Sequence, residues 1–227
     1  MTTLVFDYDG TIQETLQIYE PAVLKVFSWL QSEGVYVEKP TTETISSWLG
    51  LRGETMWNLF APNAPDNIKN EGSLRIGNAM RKAVINGTDP WFDGSREMLD
   101  TLKSRGYKMI VLSNCNLAYA QFNEMAFNMK SWFSEYIDCE THGGKSKATI
   151  LSERIAKESV NEKVSGKYIV IGDRVSDREA AQKNEIPFIA CRYGYARKGE
   201  LDGADAYADS VREIPDLVDK ILKRSTK

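Results

Sequence analysis

Leu4-Val5-Phe6-Asp7-Tyr8-Asp9-Gly10-Thr11 joins a short apolar run to two carboxylates, a glycine and a threonine. Leu4 to Phe6 is too short and too apolar for a solvent-facing helix, and it reads as a buried strand of the parallel kind. In open α/β sheets ligands bind outside the carboxyl ends of the strands, which is where Asp7 and Asp9 stand. Gly10 permits the close backbone approach or positive φ of a tight exit. Two acids two residues apart on a strand face the same way. At about 4 Å they would repel by about 4 kcal/mol at an effective dielectric near 20. Such a pair is kept when a cation binds it, or when one acid stays protonated for acid–base work.

A chain of 227 residues can hold one large domain, or a core with a smaller inserted one. The net charge of −3, with both signs interspersed, leaves no basic stripe for nucleic acid. A single phosphorylated metabolite remains compatible with that balance. No apolar run approaches a membrane span and Met1-Thr2-Thr3 opens no export signal, so the protein is expected to be soluble and cytoplasmic, without a membrane partner. Cys115, Cys139 and Cys191 are odd in number and lack C-x-x-C spacing, which argues against a disulfide framework and a zinc site. His142 is the one imidazole, beside Gly143-Gly144, and reads as a loop residue. Chemistry here falls to carboxylates, lysine and a metal.

Along the chain, residues 12–20 look polar and irregular, Pro21 suits the first turn of a following helix, and Tyr19, Val23, Val26, Phe27 and Leu30 fall on one face at helical spacing. Residues 41–49, 54–60 and 68–85 read as three more helices, and no strand signal falls between Leu16 and Gly87. Residues 15–88 are therefore expected to form a helical insertion with Trp29, Trp48 and Trp57 in its core, between core segments 1–14 and 89–227. Strand–helix alternation follows. A helix is predicted from Ser95, as its cap, to Arg105, then a strand at Lys108–Leu112 ending in Ser113-Asn114. Residues 127–136 and 147–158 carry helical features. Further strands are predicted at 168–171, 186–191 and 206–208, before a last amphipathic helix with Ile214, Leu217, Val218, Ile221 and Leu222 on one face. Repeated β–α units imply an α/β core, a mainly parallel Rossmann-like sheet with helices on both faces.

Three inferred strands end in polar groups: Asp7 with Asp9, Ser113 with Asn114, and Asp173 with Asp177 four residues on. On one edge of a parallel sheet, the four aspartates would form a cluster that calls for a hard divalent cation, and magnesium suits a site shared with phosphate. In this order the motifs resemble those of the haloacid dehalogenase superfamily, and the resemblance covers nearly the whole chain. Asp7-Tyr8-Asp9-Gly10-Thr11 is similar to its DxDGT signature and Gly172 to Asp177 to its GDxxxD motif. Trp91 to Gly94, and Arg192 to Tyr195 with Gly199 to Leu201, resemble segments of the phosphoglycolate phosphatase-like branch, whose helical cap lies between the first two motifs.

The resemblance implies roles. Asp7 would attack phosphorus and form an aspartyl phosphate, and Asp9 would act as general acid and then general base. The dehalogenase branch lacks the second aspartate, so Asp9 points to phosphoryl transfer. Ser113 and the Asn114 amide would bind the phosphoryl oxygens. Magnesium would sit on Asp7, the Asp9 carbonyl and Asp173, with Asp177 supporting it. The lysine that neutralises charge is Lys145 or Lys147, and Lys147 is favoured because Lys-Ala opening a helix resembles one version of the third motif. Arg52, in the Gly50 to Gly53 loop of the insertion, is a candidate for reading a substrate anion. Gln13-Glu14-Thr15 departs from the pattern, since relatives usually carry an aspartate followed by serine or threonine there. The expected activity is a phosphatase acting on a small phosphorylated metabolite, phosphoglycolate first. A sugar-phosphate mutase and a catalytically silent binding module on the same fold stay open as alternatives.

Overall fold

The computed structural model describes residues 2–161 and 167–224. The chain divides into two compact units, Met1–Gln13 with Trp91–Lys227, and Glu14–Pro90. In chain order the elements are β1 (Thr2–Phe6), α1 (Leu16–Ser32), α2 (Thr42–Trp48), α3 (Gly53–Phe60), α4 (Asp66–Ile85), α5 (Ser95–Ser104), β2 (Lys108–Ser113), α6 (Leu117–Ala126), β3 (Phe133–Asp138), α7 (Lys147–Asn161), β4 (Lys167–Gly172), α8 (Val175–Lys183), β5 (Phe188–Cys191), β6 (Ala206–Ala208) and α9 (Ile214–Arg224).

The first unit is a six-stranded sheet in the order β3-β2-β1-β4-β5-β6. Every pairing in it is parallel. Alternation along the strands divides the core into two layers. Leu4, Phe6, Val111 and Ile171 pack with Leu99 and Leu102 of α5 and Val218 of α9. Val5, Ile110, Leu112 and Val170 face the other way, onto Leu151 of α7 and Ala180 of α8. Both faces of the strands are thus buried, which is why they read as unbroken apolar runs. Strand order reverses between β1 and β4, the switch point at which such sheets open a crevice.

Three expectations about individual elements need correction. Residues 127–136 are not a helix: α6 ends at Ala126, a single 3₁₀ turn covers Met129–Ser131, and β3 begins at Phe133. β3 is an edge strand whose Ser134 and Glu135 are exposed, so its apolar content is too low to show as a strand in sequence. α6 itself is opened by Asn116, whose side chain accepts the Tyr119 N–H at 2.8 Å. α1 starts five residues before Pro21 rather than at it, because Ile18 and Tyr19 are buried on the same face as Val23, Val26 and Leu30. That burial offsets the bond Pro21 cannot donate. Ser95 does not cap α5; its hydroxyl donates to the Ile12 carbonyl at 3.0 Å and Gly94 takes the cap position.

The second unit is built of α1 to α4, with α1 packed on α4. Trp48 and Trp57 are buried around Phe60, with ring centroids 5.0 and 5.6 Å from it. Trp29, expected in that core, is only half-buried, with the Arg75 guanidinium 4.5 Å over its ring. No helix among the described residues is long and apolar enough to cross a membrane.

The two helical glycines of α4 offer a test of this packing. A Cβ on Gly72 would lie 2.4 Å from the buried Trp57 ring, whereas one on Gly77 meets nothing within 4 Å. Gly77→Ala is expected to stabilise by about 0.5–1 kcal/mol through helix propensity, and Gly72→Ala to destabilise by about 1–3 kcal/mol through overpacking. Thermal or urea unfolding of the two variants checks the opposite signs.

Candidate active site

Asp7, Ser113 and Asp173 stand at or just beyond the carboxyl ends of three neighbouring parallel strands, β1, β2 and β4. The Asp7 N–H still donates to the Ile171 carbonyl at 2.9 Å, so the first acid continues the ladder. The chain then turns. The Tyr8 carbonyl accepts the N–H groups of Ile12 and Gln13 at 2.9 and 3.0 Å, and Gly10 takes φ +82°. A Cβ at Gly10 would lie 2.3 Å from Asp173 Oδ2, so a side chain here is opposed by both backbone conformation and space. This turn ends the strand alternation on which Asp7 and Asp9 were expected to face together. Asp7, Asp173 and Asp177 converge, whereas Asp9 Oδ1 accepts the Tyr119 hydroxyl at 2.8 Å.

The converging acids are held individually. Asp173 is fully buried and accepts the Thr11 hydroxyl at 3.1 Å and the Tyr195 N–H at 2.7 Å. Asp177, in the first turn of α8, accepts the Arg174 N–H at 3.0 Å and lies against Gly172, where a Cβ would be 2.3 Å from its carboxyl carbon. Lys147, the first residue of α7, is 3 % exposed and donates to Asp7 Oδ1 and Asp177 Oδ1, both at 2.8 Å. Lys145 instead points to solvent and pairs with Glu153.

Charge explains how these groups titrate. Burial alone would lower the Lys147 pKa, but the carboxylates of Asp177 and Asp7 override it and hold the ammonium well above its usual value. Burial, then the Asp7 and Asp177 charges, lifts Asp173 well above the carboxylate range. Burial and then Asp7 push Asp177 up to about 7 against the pull of Lys147. One ammonium therefore does not balance three buried acids. Their oxygens lie within 4.8 Å of one another, an all-oxygen donor set that fits a hard divalent cation.

The remaining expected residues are placed as follows. Ser113 is buried and its hydroxyl oxygen accepts the Cys115 N–H at 3.3 Å. Asn114 is half-buried, with its Oδ1 3.2 Å from Cys139 Sγ. Arg52 is exposed at the start of α3, within the second unit. His142 is an exposed loop residue, with Nδ1 3.0 Å from the Asp138 carbonyl. Sequence reasoning missed Tyr119 and the structural part of Gln13. The Asn116 cap was the available signal for α6, and Gln13 stood out only as a departure from a pattern.

Residues 4–191 match the haloacid dehalogenase-like hydrolases. The chain belongs to that family. No curated protein matches it. Among solved structures, a predicted phosphatase from Clostridium acetobutylicum is 23 % identical over 98 % of both chains, with a TM-score of 0.73. A predicted phosphoglycolate phosphatase from Haemophilus somnus 129pt is 18 % identical over 96 % of this chain and 98 % of that one, with a TM-score of 0.75. CbbY from Rhodobacter sphaeroides, in complex with phosphate, is 19 % identical over 94 % and 96 %, with a TM-score of 0.72. At these identities the likeness is one of fold.

In this haloacid dehalogenase-like hydrolase the two lysines should separate by stability as well as activity. Lys147→Ala leaves Asp7 and Asp177 buried without their cation and is expected to cost about 3–5 kcal/mol. Lys145→Ala removes an exposed pair and should change stability by less than about 1 kcal/mol. Denaturant unfolding in metal-free buffer makes the comparison.

Proposed function

We propose that this hydrolase is a magnesium-dependent phosphatase that cleaves a small phosphorylated metabolite through an aspartyl phosphate on Asp7. The observation that carries the reading is the buried Asp7 carboxylate at a strand end, 2.8 Å from the Lys147 ammonium and clustered with Asp173 and Asp177. Asp7, Asp173 and the Asp9 carbonyl would hold magnesium, supported by Asp177. When bound, the cation supplies positive charge beside the phosphoryl oxygens.

The chain's own residues do the rest. Lys147 pairs with Asp7 and offsets charge between nucleophile and phosphate. Asp7 forms a bond to phosphorus as the ester P–O bond breaks, and Asp9 gives its proton to the departing oxygen. Asp9 then takes a proton from water, whose oxygen attacks phosphorus, freeing Asp7 and inorganic phosphate. Ser113 and the Asn114 amide donate hydrogen bonds to the equatorial oxygens.

Residues 15–88 act in this reading as a helical cap, with the exposed Arg52 as the residue that pairs with a substrate anion. Phosphoglycolate is the first substrate to try, in line with the predicted phosphoglycolate phosphatase among the structural neighbours. Cys115, Cys139 and Cys191, held as thiols, suit a reducing compartment such as the cytoplasm.

Release of inorganic phosphate from p-nitrophenyl phosphate and a panel of phosphorylated metabolites, with and without magnesium, tests the proposal. Chelation should abolish turnover and magnesium restore it. Asp7→Asn should remove activity while the protein stays folded by circular dichroism, since an amide is a poor nucleophile for phosphorus; substantial magnesium-dependent turnover by this variant would sink the assignment. Arg52→Ala should lower kcat/KM for an anionic natural substrate by about 1.5–3 kcal/mol, and change p-nitrophenyl phosphate hydrolysis much less.

A further inference from the structure

Asp9 is the one site aspartate turned away from the lysine-held acids, and what it meets is a directed chain of hydrogen bonds inside the first unit. The Trp91 indole N–H donates to the Tyr8 hydroxyl at 3.1 Å, and that hydroxyl donates to Gln13 Oε1 at 2.9 Å. Gln13 Nε2 donates to the Tyr119 hydroxyl at 2.7 Å, and Tyr119 donates to Asp9 Oδ1 at 2.8 Å. Gln13 and Tyr8 are fully buried.

The chemistry of the two ends sets the direction. An indole N–H can only donate, and an ionised carboxylate can only accept. Tyr119 has one proton, so donating to Asp9 obliges its oxygen to accept from elsewhere. Gln13 meets that demand by donating from Nε2 while its Oε1 accepts from Tyr8. An apolar or acidic side chain at this position would not supply both functions. Asn123 braces the same region, with Nδ2 donating to the Tyr119 carbonyl at 2.9 Å and Oδ1 3.1 Å from the Tyr8 hydroxyl.

We infer that Tyr119, oriented by the buried Gln13 amide, is a positioning residue that holds Asp9 by Oδ1 and so fixes the orientation in which its carboxyl group exchanges a proton. The inference rests on the acid–base role proposed for Asp9 and adds to it the device that orients the carboxyl group. A carboxyl group held at Oδ1 presents one fixed geometry to a leaving oxygen or to water. When Asp9 is ionised, the same bond limits rotation of the carboxylate. Tyr119 touches neither substrate nor phosphorus in this account. It acts through Asp9.

Leaving-group dependence separates positioning from structural support. An alkyl oxygen needs a proton to depart, whereas p-nitrophenolate departs readily without one. The experiment measures kcat/KM for glycerol phosphate and for p-nitrophenyl phosphate in the wild type, Tyr119→Phe, Gln13→Met and Asp9→Asn, in magnesium. Because kcat/KM reports the step in which the leaving group departs, and because both substrates share one preparation, their ratio is independent of the folded fraction. Tyr119→Phe is expected to lower the ratio of alkyl to aryl activity by roughly ten- to hundredfold, and Gln13→Met to lower it in the same direction. An unchanged ratio in both variants, whether total activity falls or holds, overturns the inference. If Asp9→Asn collapses the ratio while both of the others keep it, the positioning role alone fails. If Asp9→Asn itself keeps the wild-type ratio, the acid–base reading of Asp9 fails and the inference falls with it.

Discussion

The contact on which the site depends is a buried ammonium shared between two buried carboxylates. Lys147 meets Asp7 and Asp177 at 2.8 Å each, with all three side chains nearly inaccessible to water. Taking such charges out of water costs several kcal/mol per ion, and only close pairing with added hydrogen bonds offsets it. The surrounding turns supply those bonds: the Tyr8 N–H to Asp7, the Arg174 N–H to Asp177, and the Tyr195 N–H and Thr11 hydroxyl to Asp173. Even so, three acids face one lysine. Crowding three buried acids around one ammonium costs stability, the same cost that lifts Asp173 and Asp177 above the usual carboxylate range, as expected of a site shaped for function rather than for stability.

The sheet makes this concentration of charge possible. A wholly parallel sheet aligns the carboxyl ends of β1, β2 and β4, so residues from distant parts of the chain arrive on one edge. Strong apolar layers on both faces hold those strands in register. Glycines complete the arrangement where acids and backbone crowd together. Gly10 and Gly194 flank Asp173, and a Cβ on either would come within 2.5 Å of that side chain.

Beside this charged centre lies a neutral polar layer. Tyr8, Gln13, Tyr119 and Trp91 link β1, the turn after it and α6 through hydrogen bonds whose donors and acceptors are matched along the chain. Such matched networks are costly to disturb, because removing one member leaves another buried polar group without its partner. The acid held by Lys147 and the acid held by Tyr119 therefore sit two residues apart in environments of opposite character. That difference supports the proposed division of roles, nucleophilic attack for Asp7 and proton movement for Asp9.

The features that sequence alone determined are those encoded within a few neighbouring residues. The Leu4 to Phe6 strand was legible because it is buried on both faces and so unbroken in hydrophobicity. The acidic ends of β1 and β4, the Ser113 end of β2 and the helical run before Gly87 were legible from composition, spacing and motif order. β3 was not, because an edge strand needs few apolar residues, and α1 began before Pro21 because distant core contacts outweighed a local breaker. Lys145 and Lys147 are nearly equivalent in sequence, yet only the packing of α7 on the sheet turns Lys147 into the acids and leaves Lys145 in water. The direction of Asp9 is of the same kind. Sequence periodicity predicts that it follows Asp7, but the turn at Gly10 ends that periodicity, and its partner Tyr119 lies on a helix more than a hundred residues away. Which side chains share a buried charge or a hydrogen bond is decided by the tertiary structure, because desolvation acts on whatever the fold brings together and leaves no trace in local pattern.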